Sequence, residues 1–243
     1  MKFENTDVYN FENAIRGMRL PMQSYNKSDS GEGCKNNSWD EHPDDYRLCK
    51  DCYSNQPCSP SKFVIGDNDM NLMQRLIRGG SEHRKFMRQV MVSVDITAPL
   101  YWWKEMDTYK VGTTANSTSS MHKLASTPIT KDCFEMGDYN NVVVYESGND
   151  LAPDVGMDNV WGTLVNLCER LRVKYNETKD KAYWKELIRI LPESWLQTRT
   201  WTANYEVIRN IVHQRQGHKL KEWEAFINWA KSLPYAEELI FYK

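Results

Sequence analysis

A run of small polar residues, VGTTANSTSS at 111–120, carries the groups best suited to binding an anion. Hydroxyl groups and the free amide N–H groups of such a turn donate hydrogen bonds to phosphate oxygens. Lys110 directly precedes the run and adds a positive charge beside it. We therefore predict a loop in which amides and hydroxyls approach a phosphate or a ribose. The alternative is a set of ordinary turns and caps.

Three other side chains have the chemistry to contact the same guest. Arg215 follows a helical pattern, and its planar guanidinium can hold a phosphate or a carbonyl edge through two hydrogen bonds. The alternative for Arg215 is a solvated position on the helix surface. His83 is surrounded by charged residues, which indicates an exposed imidazole. His122 follows the polar run and could contact a phosphate when it is protonated at acid pH.

Residues 27–62 differ in kind from the rest of the chain, because they are polar, nearly free of aliphatic side chains, and hold four of the six cysteines. Such a segment cannot bury enough apolar surface to fold alone, so we predict a surface insertion. One Cys-x2-Cys pair and two more thiolates could bind a structural zinc ion tetrahedrally, and the alternative is a flexible loop with reduced thiols. The four metal-ligand candidates are Cys34, Cys49, Cys52 and Cys58.

The apolar pattern predicts the elements that must position these groups. Val90, Val92, Val94 and Ile96 alternate with polar residues, which predicts a strand over 89–96, and a second short strand is predicted over 142–145. Helical spacing predicts helices over 69–79, 100–110, 158–176, 179–190, 200–215 and 219–232. Strands early and helices late favour one α+β domain over residues 1–243.

The composition excludes several classes of protein. Apolar residues make up 40% of the chain and charged residues 26%, which is typical of a globular protein. A formal net charge of −2 predicts no long basic track for duplex nucleic acid. No run approaches the roughly 20 apolar residues of a membrane-spanning helix, and the start MKFENTDVYN lacks a secretory pattern. We therefore expect a cytoplasmic protein with neither a membrane nor a duplex as partner.

Two blocks and one histidine resemble the flavin-dependent thymidylate synthase family. The block APLYWWKEMDTYKVGTTANSTSSMH (98–122) resembles the family signature, in which a helix ends in Arg-His-Arg and a Ser-x-Asn-x-x-Ser-x-Arg-Tyr loop follows. The block WTANYEVIRNIVHQRQGHKLKEWE (201–224) is similar to the family helix that begins Trp-Thr-x-Asn. His83 stands at the distance before Ala98 of the family's flavin-side histidine. The matches span about 66–241, and the first block is also similar to one in uncharacterised bacteriophage and bacterial proteins.

The resemblance implies a fold, a chemistry and a set of contacts. The fold is a mixed β-sheet with flanking helices, assembled as a homotetramer whose active sites lie between subunits. The cofactor is FAD, the substrate is a nucleotide monophosphate, and methylene-tetrahydrofolate and NADPH are co-substrates. Arg215 and His83 would be catalytic. The FAD contacts would be Asn116, Asn210, His83 and Lys110, and the nucleotide contacts would be Thr114, Thr118, Ser119, Arg215 and His122.

The sequence departs from the family at the positions where the family signature has arginine and histidine. If the register is anchored on Ala98, the Arg-His-Arg positions are 108–110 (Thr-Tyr-Lys) and Thr118 takes the serine place. If it is anchored on Asn116, they are 109–111 (Tyr-Lys-Val) and Ser119 takes that place. The loop's Arg-Tyr is Met-His at 121–122. Each charge-assisted hydrogen bond that is lost is worth about 1.5–3 kcal/mol.

These observations support three hypotheses. The first is a flavin-dependent methyl or hydroxymethyl transferase that acts on dUMP or a related pyrimidine deoxynucleotide. The alternative, motivated by the missing cations, is a catalytically inactive relative that binds or sequesters a nucleotide. The third is a structural or partner-binding protein that uses the cysteine-rich insertion as its contact.

Overall fold

The computed structural model of the protein describes residues 1–33, 62–119, 123–146 and 155–243. The α-helices bounded within these ranges are α1 (Phe11–Arg19), α2 (Asp67–Arg78), α3 (Leu100–Met106), α4 (Met157–Thr178), α5 (Lys181–Ile190), α6 (Tyr205–Arg215) and α7 (Lys221–Lys231). Among the described helices, none combines the length and the apolar character needed to cross a bilayer.

The strands form one four-stranded sheet and two short antiparallel pairs. The sheet has the order β1-β4-β8-β5, β2 pairs with β3, and β6 pairs with β7. The strands are β1 (Lys2–Tyr9), β2 (Gly31–Gly33), β3 (Lys62–Val64), β4 (Met91–Pro99), β5 (Thr114–Ser117), β6 (Val143–Tyr145), β7 (Val155–Gly156) and β8 (Leu196–Asn204).

The chain divides into two compact units, and β1, β4 and β8 have residues in both. The first unit consists of Met1–Asn5, Val94–Lys110 and Thr114–Trp201, and the second of Thr6–Ser93, Val111–Thr113 and Thr202–Lys243.

Each unit has its own buried apolar side chains. In the first unit, Phe134, Cys168 and Leu187 form the centre of a cluster against which Trp161 and Trp195 pack. In the second, the largest fully buried side chains are Met73, Met87, Tyr205, Ile208, Ile211, Trp223, Phe226 and Leu239. In the described part of the chain, five tryptophans are buried in the core, namely Trp102, Trp103, Trp201, Trp223 and Trp229.

The strand predicted over 89–96 is confirmed by its alternating buried side chains, but it begins and ends a few residues later than predicted. Val90, Val92, Val94 and Ile96 are each at most 1% exposed, and the strand β4 runs from Met91 to Pro99. The helix predicted over 69–79 is also confirmed, as α2. The Asp29 carboxylate caps its start by accepting hydrogen bonds from the amides of Asn68 at 2.8 Å and Asp69 at 3.1 Å.

Two predictions about local structure were wrong. The run predicted as a loop contains β5, an exposed strand at the edge of the sheet. The helix predicted over 200–215 is instead the end of β8 followed by α6, which begins only at Tyr205. The β-branched threonines and Trp201 favour a strand, and Asn204 then caps α6 by accepting the Val207 amide at 3.0 Å.

Candidate functional site

A cavity of about 960 Å³ lies in the second unit. It is formed by α1 and the turn that follows it, by α2, and by the segment before β4. Its lining residues are Gly17, Met18, Arg19, Pro21, Met22, Ser24, Asn26, Lys27, Asn68, Leu72, Arg75, Leu76, Glu82, His83, Lys85, Phe86 and Gln89.

His83 is brought to this cavity by the Gly79-Gly80 turn that ends α2. The amides of His83 and Arg84 both donate to the Gly80 carbonyl, at 3.0 and 3.1 Å. Gly80 has a φ of 97°, a left-handed conformation that glycine adopts without steric cost. A Cβ at Gly79 would lie 3.1 Å from the His83 Cδ2, so the missing side chain leaves room for the imidazole. The histidine identified by resemblance therefore lines a cavity.

Gln89 closes the same cavity against α1. A Cβ at Gly17 would lie only 2.6 Å from the Gln89 Oε1, so the glycine is what allows this side chain to approach the helix. The Asn10 side-chain amide donates to the Gln89 carbonyl at 2.8 Å and ties the backbone at that point to the start of α1.

Exposed cations give the cavity a positive character. Lys27, Arg75 and Lys85 all line it, all are exposed, and none forms an ion pair with a residue in the described part of the chain. Glu82 is the one acidic residue among those lining the cavity. A concave surface lined by one sign of charge concentrates ligands of the opposite sign, so this cavity suits an anionic guest.

A buried ion pair holds one wall of the cavity in place. Arg19 Nε lies 2.5 Å from Asp69 Oδ1, and the two residues are 4% and 0% exposed. The hydroxyls of Ser28 and Ser30 donate to Asp69 Oδ2 at 2.7 and 2.6 Å. Burial opposes ionisation of Asp69, but the hydrogen bonds from Ser30, Ser28 and Arg19 outweigh it and hold the pKa of this carboxyl below its ordinary value. The network fastens the turn that bears Lys27 to α2.

A second ion pair network holds the segment that bears His83. Both carboxylate oxygens of Glu206, which is 5% exposed, are bound by arginine side chains. Arg84 Nε donates to Oε1 at 3.0 Å, and Arg88 Nε donates to Oε2. Burial opposes ionisation of Glu206, yet the bonds from Arg88 and Arg84 keep its pKa below the ordinary value. Because Glu206 lies in the first turn of α6, the network links the segment that directly follows His83 to that helix.

The predicted ligand contacts on α6 are not part of this cavity. Arg215 ends the helix with its guanidinium carbon 4.4 Å from the centre of the Trp223 ring, and Nη1 lies 3.2 Å from His218 Nε2. Stacking on an aromatic face fixes the plane of the Arg215 guanidinium. Asn210 is exposed on the same helix.

The predicted nucleotide and FAD contacts in the first unit lie on β5 and beside it. Thr114 and Asn116 are exposed on the strand, and Thr118 and Ser119 follow its end. The prediction of free amides is wrong at Thr118, whose amide donates to the Thr198 carbonyl at 2.9 Å because β5 pairs with β8. Lys110, also exposed, precedes the strand.

The loop between α3 and β5 contains a glycine whose replacement we expect to be costly. Gly112 has a φ of 76°, and a Cβ there would lie 3.1 Å from Val207 Cγ2 and 3.2 Å from Asn204 Nδ2. We predict that Gly112→Ala lowers the free energy of unfolding by about 1–3 kcal/mol in a denaturant titration. Gly217→Ala is the matched control, since Gly217 has a φ of 69° with open space around it. An equal loss for both variants would show that the contact with α6 contributes nothing.

Several predicted contacts lie outside the described residues. These are His122 and the four cysteines proposed as zinc ligands, Cys34, Cys49, Cys52 and Cys58. Within the described ranges, no group of three or more His, Cys, Asp or Glu side chains is arranged to hold a metal ion.

Sequence comparison and structural comparison give different results for this chain. No protein-family profile matches it, and no curated protein matches it significantly. The flavin-dependent thymidylate synthase ThyX from Helicobacter pylori, in complex with FAD and dUMP, aligns with a TM-score of 0.60 and 16% identity, covering 100% of this chain and 98% of that chain. A second structure of Helicobacter pylori ThyX with FAD and dUMP gives a TM-score of 0.61 and 17% identity, covering 99% and 97%.

These alignments span both compact units and nearly the whole of each ThyX chain. They confirm the α+β architecture, with its mixed sheet and flanking helices, that the sequence resemblance implied. The chain has the fold of the flavin-dependent thymidylate synthases.

Proposed function

We propose that this protein binds FAD and a pyrimidine deoxynucleotide, and acts as a thymidylate synthase-like methyl or hydroxymethyl transferase on dUMP or a related nucleotide. The observation that carries the proposal is a cation-rimmed cavity lined by His83, in a chain that shares its fold with ThyX structures containing FAD and dUMP. The sequence resemblance assigns His83 to the flavin side.

The residues of the cavity fit an FAD molecule. Its volume of about 960 Å³ lies at the upper end of the range of ligand pockets, roughly 300–1,000 Å³. Met18, Leu72 and Phe86 offer apolar surface for a flat ring system, while Arg75 and Lys85 suit a pyrophosphate. When bound, a flavin supplies the redox chemistry, and the protein supplies binding, orientation and charge.

We also propose roles for the predicted contacts that lie outside the cavity. Arg215, held flat on Trp223, would grip the carbonyl edge or the phosphate of the nucleotide. The hydroxyls of Thr114, Thr118 and Ser119 would contact the same nucleotide, while Lys110, Asn116 and Asn210 would contact the cofactor. His83 and Asn210 belong to the second unit and the β5 residues to the first. We propose that a homotetramer assembles them, with folate and NADPH as co-substrates.

A second candidate is a catalytically inactive relative that binds or sequesters the nucleotide, as a bacteriophage protein could. The observation that favours it is the segment just after α3, where Thr108 and Tyr109 stand in place of two cations if the register is anchored on Ala98. Lys110 is exposed there, and an exposed cation binds phosphate more weakly than a buried fork of donors does.

One assay separates the two candidates. Purified protein is incubated with FAD, NADPH, methylene-tetrahydrofolate and either dUMP or dCMP, and the nucleotide product is identified by mass. The transferase predicts a product that carries one extra carbon. The inactive relative predicts a rise in melting temperature with the nucleotide and no product. If no product forms and no nucleotide raises the melting temperature, both candidates are ruled out.

A further inference from the structure

Arg199 on β8 lies beside the segment at which the family's cations are missing. Its guanidinium carbon lies 4.2 Å from the centre of the Trp103 ring on α3, and Nη1 donates to Asp107 Oδ1 at 2.7 Å. Asp107 directly precedes residues 108–110, the segment that aligns with Arg-His-Arg when the register is anchored on Ala98. Arg199, which lies on β8, therefore places a positive charge beside the end of α3.

The same guanidinium is linked to the turn after β5. Arg199 Nε donates to Gln197 Oε1 at 3.0 Å, and Gln197 Nε2 donates to the Thr118 carbonyl at 2.9 Å. Gln197 is only 8% exposed, so this bridge is largely shielded from solvent. Thr118 is one of the residues proposed to contact the nucleotide, and it lies two hydrogen bonds away from the arginine.

The arginine has capacity left for a ligand. Its described hydrogen bonds use Nε and Nη1, and Nη2 donates to none of the residues that the structure describes. The side chain is 15% exposed and its plane is fixed by Trp103, whereas Asp107 is 55% exposed. An exposed carboxylate of this kind is bound weakly and can move away, because solvent screens the ion pair.

We propose that Arg199 is the residue that holds the phosphate of the nucleotide, in place of the arginine that the loop lacks at Met121. Thr118 supplies a hydroxyl beside it, and Asp107 occupies the guanidinium until a phosphate monoester displaces it. A doubly charged phosphate can accept two parallel hydrogen bonds from the fork, which gives it an advantage over a single exposed carboxylate oxygen. The inference rests on the proposed function, since it names the anion site of the same nucleotide.

Calorimetric titration of the full chain with dUMP and with deoxyuridine tests this assignment. Arg199→Gln is expected to weaken dUMP binding by about tenfold or more, and to leave deoxyuridine binding unchanged. Asp107→Asn is expected to strengthen dUMP binding by about threefold, because it removes the competing carboxylate. If the Arg199–Asp107 ion pair were only structural, Asp107→Asn would instead weaken dUMP binding, because loss of the pair would loosen the site.

The matched controls are Arg189→Gln and Glu186→Gln, which break an exposed arginine–carboxylate pair on α5 in the same unit. Neither control should change dUMP affinity. If Arg199→Gln does not fold, Asp107→Asn alone decides. Unchanged or weaker dUMP binding by folded Asp107→Asn, or unchanged dUMP binding by folded Arg199→Gln, would overturn the assignment.

Inorganic phosphate separates failure of this site from failure of the proposed function. If no nucleotide binds the natural protein, the proposed function fails. The anion site still stands if phosphate raises the melting temperature of the natural protein and of Asp107→Asn but not that of Arg199→Gln. If phosphate affects all three proteins alike, or none of them, the site fails as well.

Discussion

Replacing Asp69 with alanine is expected to lower the free energy of unfolding by about 3–5 kcal/mol, the usual penalty when a buried charge loses its partner. Arg19, which is 4% exposed in the natural protein, would lose its carboxylate partner. The hydroxyls of Ser28 and Ser30 would also lose their acceptor. Denaturant titration followed by tryptophan fluorescence measures the change.

The same variant should change the response to acid. Because the folded protein holds the pKa of Asp69 below its ordinary value, the ionised carboxylate adds stability above about pH 4. That stability is lost as the pH falls through the pKa of the folded state. The natural protein should therefore lose stability more steeply in acid than Asp69→Ala does.

Asp67→Ala is the matched control for this prediction. Asp67 lies in the same first turn of α2, but it is exposed. Its removal should cost less than about 1 kcal/mol, the size of an exposed charge interacting with a helix dipole. Equal losses for the two variants, or parallel acid profiles for Asp69→Ala and the natural protein, would contradict the role of the buried network.

Reversing the charge at both Arg75 and Lys85 is expected to weaken FAD binding by about 100-fold. Each side chain lines the cavity without an ion-pair partner among the described residues, so each is available for a phosphate. A charge-assisted bond lost at each position corresponds to roughly a tenfold change in affinity. The double variant Arg75→Glu/Lys85→Glu should fold normally, because both residues are exposed.

Arg78→Glu is the control for the cavity variants. Arg78 lies on α2 one turn beyond Arg75 and is also exposed, but it does not line the cavity. The fluorescence of FAD, followed during titration, should report unchanged affinity for this variant. If Arg78→Glu weakens FAD binding as much as the double variant does, general electrostatic attraction explains the binding and the cavity assignment is wrong.

The elements that the sequence predicted well are those whose pattern is local. The strict alternation from Val90 to Ile96 identified β4, and helical spacing identified α4 and α5 within a few residues. β8 was missed because its strand character is carried by threonines, which a helical interpretation tolerates, and because its pairing with β4 spans about a hundred residues. β5 was missed because it is an exposed, polar edge strand, and such a strand resembles a loop in sequence.

The candidate site was predicted only where a resemblance marked it. His83 was found by its distance from Ala98, and it does line the cavity. Arg75, Lys85 and Arg199 were not singled out, because their proposed roles depend on contacts between distant parts of the chain. Arg75 and Lys85 line a cavity formed by separate segments, and Arg199 stacks on Trp103. The one sequence signal was indirect: cations lost from 108–110 had to be supplied from elsewhere if an anion is still bound.

Titration of the purified protein with FAD tests directly whether the cavity lined by His83 binds the cofactor. We expect one FAD to bind per chain, with a dissociation constant of about 10 μM or tighter and with quenched flavin fluorescence. The double variant at Arg75 and Lys85 should lose most of that affinity. A folded natural protein that takes up no flavin at about 100 μM FAD would contradict the claim that this cavity is a cofactor site.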